Sequence, residues 1–471
     1  MTTTSAPAQT SASRAAPPES RPVAARTAGR RWAVPVVLAV LLVAGLAARV
    51  PMLTEQSGDY RAFLLPWYDH LLQAGGFAGL ADSFSNYNTP YLVLLAAVTY
   101  LPVPPMVAVK AISIVFDVLL AFFAYRLVRE VRPTTRWLPV IAFGAAFLLP
   151  TVMLNSAWWA QCDSIYASLC LASLYFLLRR QTALACVMFG LAFAFKLQAV
   201  FFLPALVVLV LVNRQRLWGL VLVPVTFLAA LLPAWFAGRS FTSQLSIYPT
   251  QISNPSGAGG GRGGGAARAA GGFGGGGGRG GGGFGGAPGG GTPGGGGGFG
   301  GGGGGGTTTA HSFTDNAPTW YAWLPADAST TWKYVGLGLA AAVALAFAVW
   351  LLARRRRLAP QEMLLVAATL SLVVPLLLPE MHERYFYLGE VLAVVAIFVD
   401  RRFLVVAALI QIATLSTYWS YLQSTTTLSL DAAAGFALAA AAGATVILVL
   451  RLRRRPADVV KPAPEAEPVT A

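Results

Sequence analysis

From residue 32 to residue 450 the chain is a succession of apolar runs separated by short, arginine-bearing loops. The runs fall at 32–48, 106–128, 137–153, 163–178, 182–196, 199–212, 217–236, 332–353, 360–379, 385–399, 402–419 and 431–450, about twelve stretches near membrane-spanning length. Inside hydrocarbon every backbone N–H and C=O must find a partner within its own segment, which helices achieve and open strands do not. The expected fold class is therefore an all-α polytopic membrane protein. Only 11% of the residues are charged, against about 25% in a soluble domain, which excludes a soluble globular fold.

One apolar stretch resists this reading. Tyr91–Leu101 is bounded by Pro90 and Pro102, and at 1.5 Å per residue it cannot cross about 30 Å of hydrocarbon. It reads as a re-entrant or interfacial helix. With that choice and the N-terminus inside, the inner loops carry Arg126, Arg129, Arg132 and Arg136, then Arg179 and Arg180, Arg214 and Arg216, Arg354 to Arg357, Arg401 and Arg402, and Arg451 with Arg453 to Arg455. Every inner loop is then basic, as the positive-inside rule requires; letting Tyr91–Leu101 cross would turn all of them outward. The net charge of +15 is thus a topology signal and not a nucleic-acid footprint. A cell-membrane location with both termini cytoplasmic follows, with 49–105, 154–162, Lys196–Gln198, 237–331, Pro379–Arg384 and 420–430 on the outer side.

Residues 1–30 are rich in Ala, Pro, Ser and Thr and read as a disordered cytoplasmic tail, as do 456–471. Between them lie an N-terminal transmembrane part (31–256, with the first outer loop at 49–105), a glycine-rich insert (257–306) and a C-terminal transmembrane part (307–455). The basic leader Arg26, Arg30 and Arg31 before the first run suits a retained signal anchor, because the chain goes on spanning. The insert holds most of the 50 glycines but has no Gly-Lys-Ser or Gly-Lys-Thr ending, so it is no phosphate-cradling loop and reads as a flexible linker. Cys162, Cys170 and Cys186 are odd in number and lie in apolar stretches; they are expected to be packing residues.

The chemistry-bearing residues gather on the outer side. Asp59 follows Ser57 and Gly58 and precedes Phe63, Leu64, Trp67 and Leu71, which are spaced as one helix face. It reads either as the N-cap of an amphipathic interfacial helix or as a functional acid. Glu55, Asp69 and His70 nearby make a metal site imaginable, but without any familiar ligand spacing none is expected. His382, Glu383, Arg384 and Tyr385 form a dense ionisable cluster at an outer span boundary, and such density suits an anionic ligand, Arg pairing bidentately with phosphate while His or Tyr donates. Trp158 and Trp159 read as interfacial anchors, Gln161 and Asp163 as candidates for sugar hydroxyls. Lys196, beside Gln198, either snorkels or complements a phosphate. Lys110 and Asp117, seven apart in one span, read as bundle contacts. Thr319–Trp323 reads as an interfacial aromatic belt.

Gly58-Asp59-Tyr60, Tyr87-Asn88-Thr89-Pro90-Tyr91, Trp159-Ala160-Gln161-Cys162-Asp163-Ser164, Lys196-Leu197-Gln198 and Met381-His382-Glu383-Arg384-Tyr385-Phe386-Tyr387 together resemble the GT-C superfamily. Its polyprenyl-phosphate-sugar-dependent glycosyltransferases include bacterial relatives of the GPI-anchor mannosyltransferases and of the dolichol-linked-oligosaccharide glucosyltransferases. The resemblance implies a GT-C-like bundle with interfacial helices in the first outer loop and an inverting transfer of a hexose, mannose in the first instance. Asp59 would be the general base, and His382 and Arg384 would bind phosphate. Tyr60, Gln161, Asp163, Lys196, Gln198, Glu383 and Tyr385 would complete the substrate site. It implies no metal and no cofactor beyond the lipid-linked sugar as co-substrate. Its implied partners are membrane lipids, the polyprenyl-phosphate-sugar donor, and a lipid, glycan or protein acceptor on the outer face. The competing reading is a polytopic transporter or flippase of sugar-lipid phosphates, which would place its charges near the midplane of repeated halves; no internal repeat is visible.

Overall fold

The computed structural model describes residues 23–253, 313–325 and 328–453. The insert 257–306, the tail 456–471 and most of the tail 1–30 lie outside the described residues. α1 (Val23–Arg49) begins inside the stretch expected as tail and runs into the first outer loop. That loop folds into a 3-10 turn (Val50–Thr54), a π-helical turn (Tyr60–Leu64), α2 (Leu65–Gln73) and α3 (Thr89–Val98). α4 (Pro105–Val131) is followed by α5 (Leu138–Phe147) and α6 (Pro150–Met153); α5 and the helical stretch Pro150–Trp158 that α6 begins form a pair bent by 46°. A second π-helical turn (Leu154–Trp158) leads to α7 (Asp163–Leu178) and α8 (Thr182–Phe195). α9 (Leu203–Val212), α10 (Leu222–Ala230), α11 (Leu232–Ala237), α12 (Phe241–Leu245) and α13 (Ile247–Ser253) complete the first half. Beyond the insert come β1 (Thr314–Asp315), α14 (Thr331–Ala353), α15 (Pro360–Leu377), β2 (Met381–His382), α16 (Tyr387–Ala396), α17 (Phe403–Gln423) and α18 (Leu430–Arg453).

The all-α, membrane-spanning class stands. Every apolar run coincides with a helix, but the run count overstates the full spans. Among the described residues seven helices are long and apolar enough to cross a membrane, or eight if the bent pair is one span. α7, α8, Leu197–Val212 and α16 have only 10–17 residues. Between α8 and Leu197–Val212 the helical backbone is interrupted at Lys196, which ends α8 in an extended conformation. α3, at ten residues, rises about 15 Å, half the hydrocarbon thickness, in keeping with the non-spanning reading of this stretch.

α7, α15 and α16 are buried almost along their whole length and form the centre, whereas α1, α10 and α14 expose most of their apolar surface and face lipid. α14 approaches α15 closely because Gly336 has no side chain: a Cβ there would meet the Tyr321 hydroxyl and the Leu377 carbonyl. Tyr321 is accordingly buried and donates to the Trp332 carbonyl at 3.2 Å, so the expected aromatic belt is in part a packing element. At one end of the bundle the arginine loops cross-brace: Arg132 donates to the carbonyls of Phe398 and Val399 at 2.8 and 2.9 Å, and Arg356 forks onto Glu362 with two bonds of 2.7 Å. The candidate residues sit at the other end.

Candidate active site

The first outer loop is fastened from below before it reaches Asp59. Arg49, at the end of α1, is 1% exposed and donates twice to Asp117 Oδ2 of α4, at 2.8 and 3.1 Å, while Ser156 donates to the same oxygen at 2.6 Å. Two turns earlier on α4, Lys110 donates to the carbonyls of Met52 and Glu55 at 2.7 and 2.6 Å. Lys110 and Asp117 therefore are bundle contacts, and what they hold is the start of this loop.

Asp59 does not cap the helix it begins. Ser57 does so: its hydroxyl accepts from the Tyr60 N–H at 3.1 Å and donates to the Trp159 carbonyl at 2.6 Å. The Asp59 carboxylate points instead at a polar cluster. Trp159 Nε1 donates to its Oδ2 at 2.9 Å, Gln161 Nε2 donates to the same oxygen, and Tyr421 donates to Oδ1 at 2.7 Å. Trp159 is fully buried and stacked on Tyr421, centroids 4.6 Å apart, so it is a first partner of the acid and not a membrane anchor. Backbone geometry explains how Trp159 and Gln161 reach the same oxygen. They flank Ala160, held at φ +66°, just after the π-helical turn Leu154–Trp158, and the acid itself immediately precedes the other π-helical turn. Wide turns of this kind and left-handed non-glycine residues are found where a side chain has to be aimed.

Asp163 opens α7 and forms the second anionic point. Lys196 Nζ lies 2.5 Å from its Oδ1 and Asn155 Nδ2 donates to Oδ2 at 2.8 Å. Lys196 is 6% exposed and ion-paired, which rules out snorkelling. Arg384 lies between the two acids, with NH1 3.8 Å from Asp59 Oδ2, Nε 3.9 Å from Asp163 Oδ2, and NH1 3.3 Å from Glu383 Oε1. Its guanidinium carbon sits 5.4 Å from the Trp159 ring centroid. Burial disfavours the charged guanidinium, but Asp59 and Glu383 outweigh it and hold Arg384 protonated. Among the described residues its Nε has no hydrogen-bond partner although it is buried, which leaves a donor for something else.

His382 and Glu383 differ from what their residue types suggest. Burial, with Arg384 and Lys196 beside it, lowers His382 to about 3, so it presents a neutral ring; Asp315 Oδ2 on β1 is 3.7 Å from its Nε2. Burial pushes Glu383 up to about 7 against the pull of Arg384. The segment is held from the side by the parallel pairing of β1 with β2, by the Glu380 N–H donating to the Phe313 carbonyl at 2.7 Å, and by a Lys333–Glu380 ion pair. Tyr385 packs against His382 and Phe201.

Lys196, Gln198, His382, Arg384 and Tyr385 line a cavity of about 560 Å³ together with Tyr87. Away from this polar end its walls are Leu203 and Pro204 of α9, Leu337, Ala340, Ala341 and Ala344 of α14, and Val374 of α15. Asp59 and Asp163 do not line it; Arg384 stands between the cavity and both acids. Gln161 reaches the group indirectly, linking Asp59 to the Tyr87 hydroxyl, which donates to its Oε1 at 3.2 Å. Tyr60 does not join: it is packed in the apolar core, because the π turn that aims Asp59 at the cluster turns the next side chain away. Sequence reasoning passed over Tyr421, Asn155 and Asp315. None is in a charged or patterned stretch, and only Trp159 had a signal, as part of the Trp-Ala-Gln-Cys-Asp-Ser run.

With this geometry in view, a family model described as Glycosyltransferase family 87 matches residues 84–259. The match indicates a membrane glycosyltransferase. It spans less than half of the chain, including Tyr87, Asn155, Gln161, Asp163, Lys196 and Gln198 but neither Asp59 nor the His382–Tyr385 segment. No curated protein matches the chain.

Proposed function

We propose that the protein is an inverting membrane glycosyltransferase that moves a hexose, mannose in the first instance, from a polyprenyl-phosphate donor to an acceptor hydroxyl at the outer membrane face. The observation that carries this reading is the cavity with Arg384 and Lys196 at one end and aliphatic walls at the other, since a lipid phosphate needs both in one continuous space. The Arg384 Nε, without a hydrogen-bond partner among the described residues, is the donor on offer to the phosphate. His382 and Tyr385 add neutral hydrogen bonds, and the groove along α9, α14 and α15 takes the chain.

Asp59 is the general base in this reading. Oδ2 is occupied by Trp159 and Gln161, so the carboxylate is held in one orientation; Oδ1 carries Tyr421 as its one donor among the described residues and keeps a lone pair for the acceptor O–H. As the new bond to C1 forms, the acceptor proton passes to Asp59, the C1–O bond to phosphate breaks, and the electron pair stays on the phosphate oxygen. Arg384, 3.8 Å from Asp59, is close enough to serve that oxygen while the base works on the opposite face of the sugar. Neither step asks for a metal ion, and the acceptor is a lipid, glycan or protein hydroxyl.

The test is incubation of purified protein with polyprenyl-phosphate-linked labelled mannose, glucose or arabinose and a membrane extract as acceptor source. Appearance of label in a new product is the expected result. Stoichiometric donor binding with no product from any of the three sugars would overturn the transferase reading in favour of a transporter.

A further inference from the structure

We propose that Glu383 is the proton-loading group of the anion site: it takes up a proton when an anionic phosphodiester binds and, as a neutral acid, releases Arg384 to the ligand. This inference rests on the phosphate-site reading above. Three carboxylates surround the Arg384 guanidinium, Glu383 at 3.3 Å, Asp59 at 3.8 Å and Asp163 at 3.9 Å. Two of them accept from other donors as well, Asp59 from Trp159, Gln161 and Tyr421, and Asp163 from Lys196 and Asn155. Glu383 is 1% exposed and, among the described residues, Arg384 is its one side-chain hydrogen-bond partner.

With His382 neutral, the cations of the site are Arg384 and Lys196, already outnumbered by the three acids. A phosphodiester adds a further negative charge, and the carboxylate with fewest donors is the one that gives way. The groups facing Glu383 are Arg384 on its own segment, Asp59 from the first outer loop, Asp315 on β1 and Tyr421 at the end of α17. Arg384 and a hydrogen bond from its own backbone favour its ionised form; burial and the two acids oppose it. Burial brings the carboxyl to about 7, and one more negative charge roughly 6 Å away raises it by about two pH units at an effective dielectric of ~20.

The experiment is titration calorimetry of the purified protein with farnesyl methyl phosphodiester, a monoanion throughout the range, in two buffers of different ionisation heat at pH 5, 6, 8 and 9. Wild type is expected to take up about 0.8 proton per ligand at pH 8 and almost none at pH 5, with affinity about 50-fold weaker at pH 9 than at pH 6. Glu383→Gln is expected to bind with no uptake and a flat pH profile. Binding by wild type without uptake overturns the proposal, as does uptake that persists in Glu383→Gln, and neither touches the phosphate site itself. No binding at any pH overturns the phosphate-site reading and this proposal with it. The wild-type measurement decides even if the variant does not fold.

Discussion

Removing Lys196 and Asp163 singly and together distinguishes a buried, structurally committed ion pair from a surface lysine. In Lys196→Met the Asp163 carboxylate keeps Asn155 and has Arg384 Nε at 3.9 Å in place of Lys196 Nζ at 2.5 Å. Since attraction scales inversely with distance, Arg384, present in wild type too, leaves roughly two-fifths of the total attraction in place, and the cost falls at the low end of the range for breaking a buried pair, about 3 kcal/mol. In Asp163→Asn both Lys196 and Arg384 lose a counter-charge and face each other with less between them, so the cost lies at the high end, about 5 kcal/mol. The double variant leaves Arg384 with Asp59 and Glu383 and no stranded lysine, and is expected to cost about 4–5 kcal/mol, a coupling of about 3–4 kcal/mol. The assay is reversible unfolding in mixed micelles with increasing SDS, followed by circular dichroism. Strict additivity, or single costs below about 1 kcal/mol as for an exposed pair, would refute the reasoning.

Two further outcomes follow from the same geometry. Tyr421→Phe removes the Tyr421 hydrogen bond to Asp59 Oδ1 and should lower kcat roughly 10- to 100-fold with donor KM unchanged, since a hydrogen bond to a charged group is worth about 1.5–3 kcal/mol; an unchanged kcat would show that Tyr421 does not position the acid. His382, lowered to about 3 by burial, contributes stability above the ordinary histidine range that is lost as pH falls below about 6.5, because only the unfolded chain then takes the proton. Relative to His382→Gln, wild type should lose about 2 kcal/mol of stability between pH 7 and pH 5; parallel pH profiles would contradict a neutral buried ring.

The membrane class, the runs that become helices and the short Thr89–Val98 helix were legible because each is a local property of composition and length. Phe63, Leu64 and Leu71, expected on one face beyond Asp59, are buried together with Trp67 for the same reason. What eluded the sequence is set by distant pairing. Tyr421 meets Asp59 across 362 residues, from the last turn of a span that reads as ordinary membrane helix. β1 and β2 are two residues each, too short for any alternation to show, yet they bring Asp315 to His382. Trp159 reads as an anchor because indole at a span boundary usually serves that purpose; its burial against Tyr421 depends on the π-helical turn and the left-handed Ala160, which no periodicity announces. Residue type was also a poor guide to charge at His382 and Glu383, where burial inverts the ordinary expectation.

The central claim is that Asp59 removes the acceptor proton while a lipid phosphate leaves beside Arg384. Its most direct test is the turnover of purified Asp59→Asn against wild type with a polyprenyl-phosphate-linked sugar, alongside donor binding by both. Asparagine keeps the shape and can still accept from Trp159 or Tyr421, so the fold and donor binding should survive. Turnover is expected to fall by about 10² to 10⁴. Turnover by Asp59→Asn equal to wild type would contradict the assignment outright.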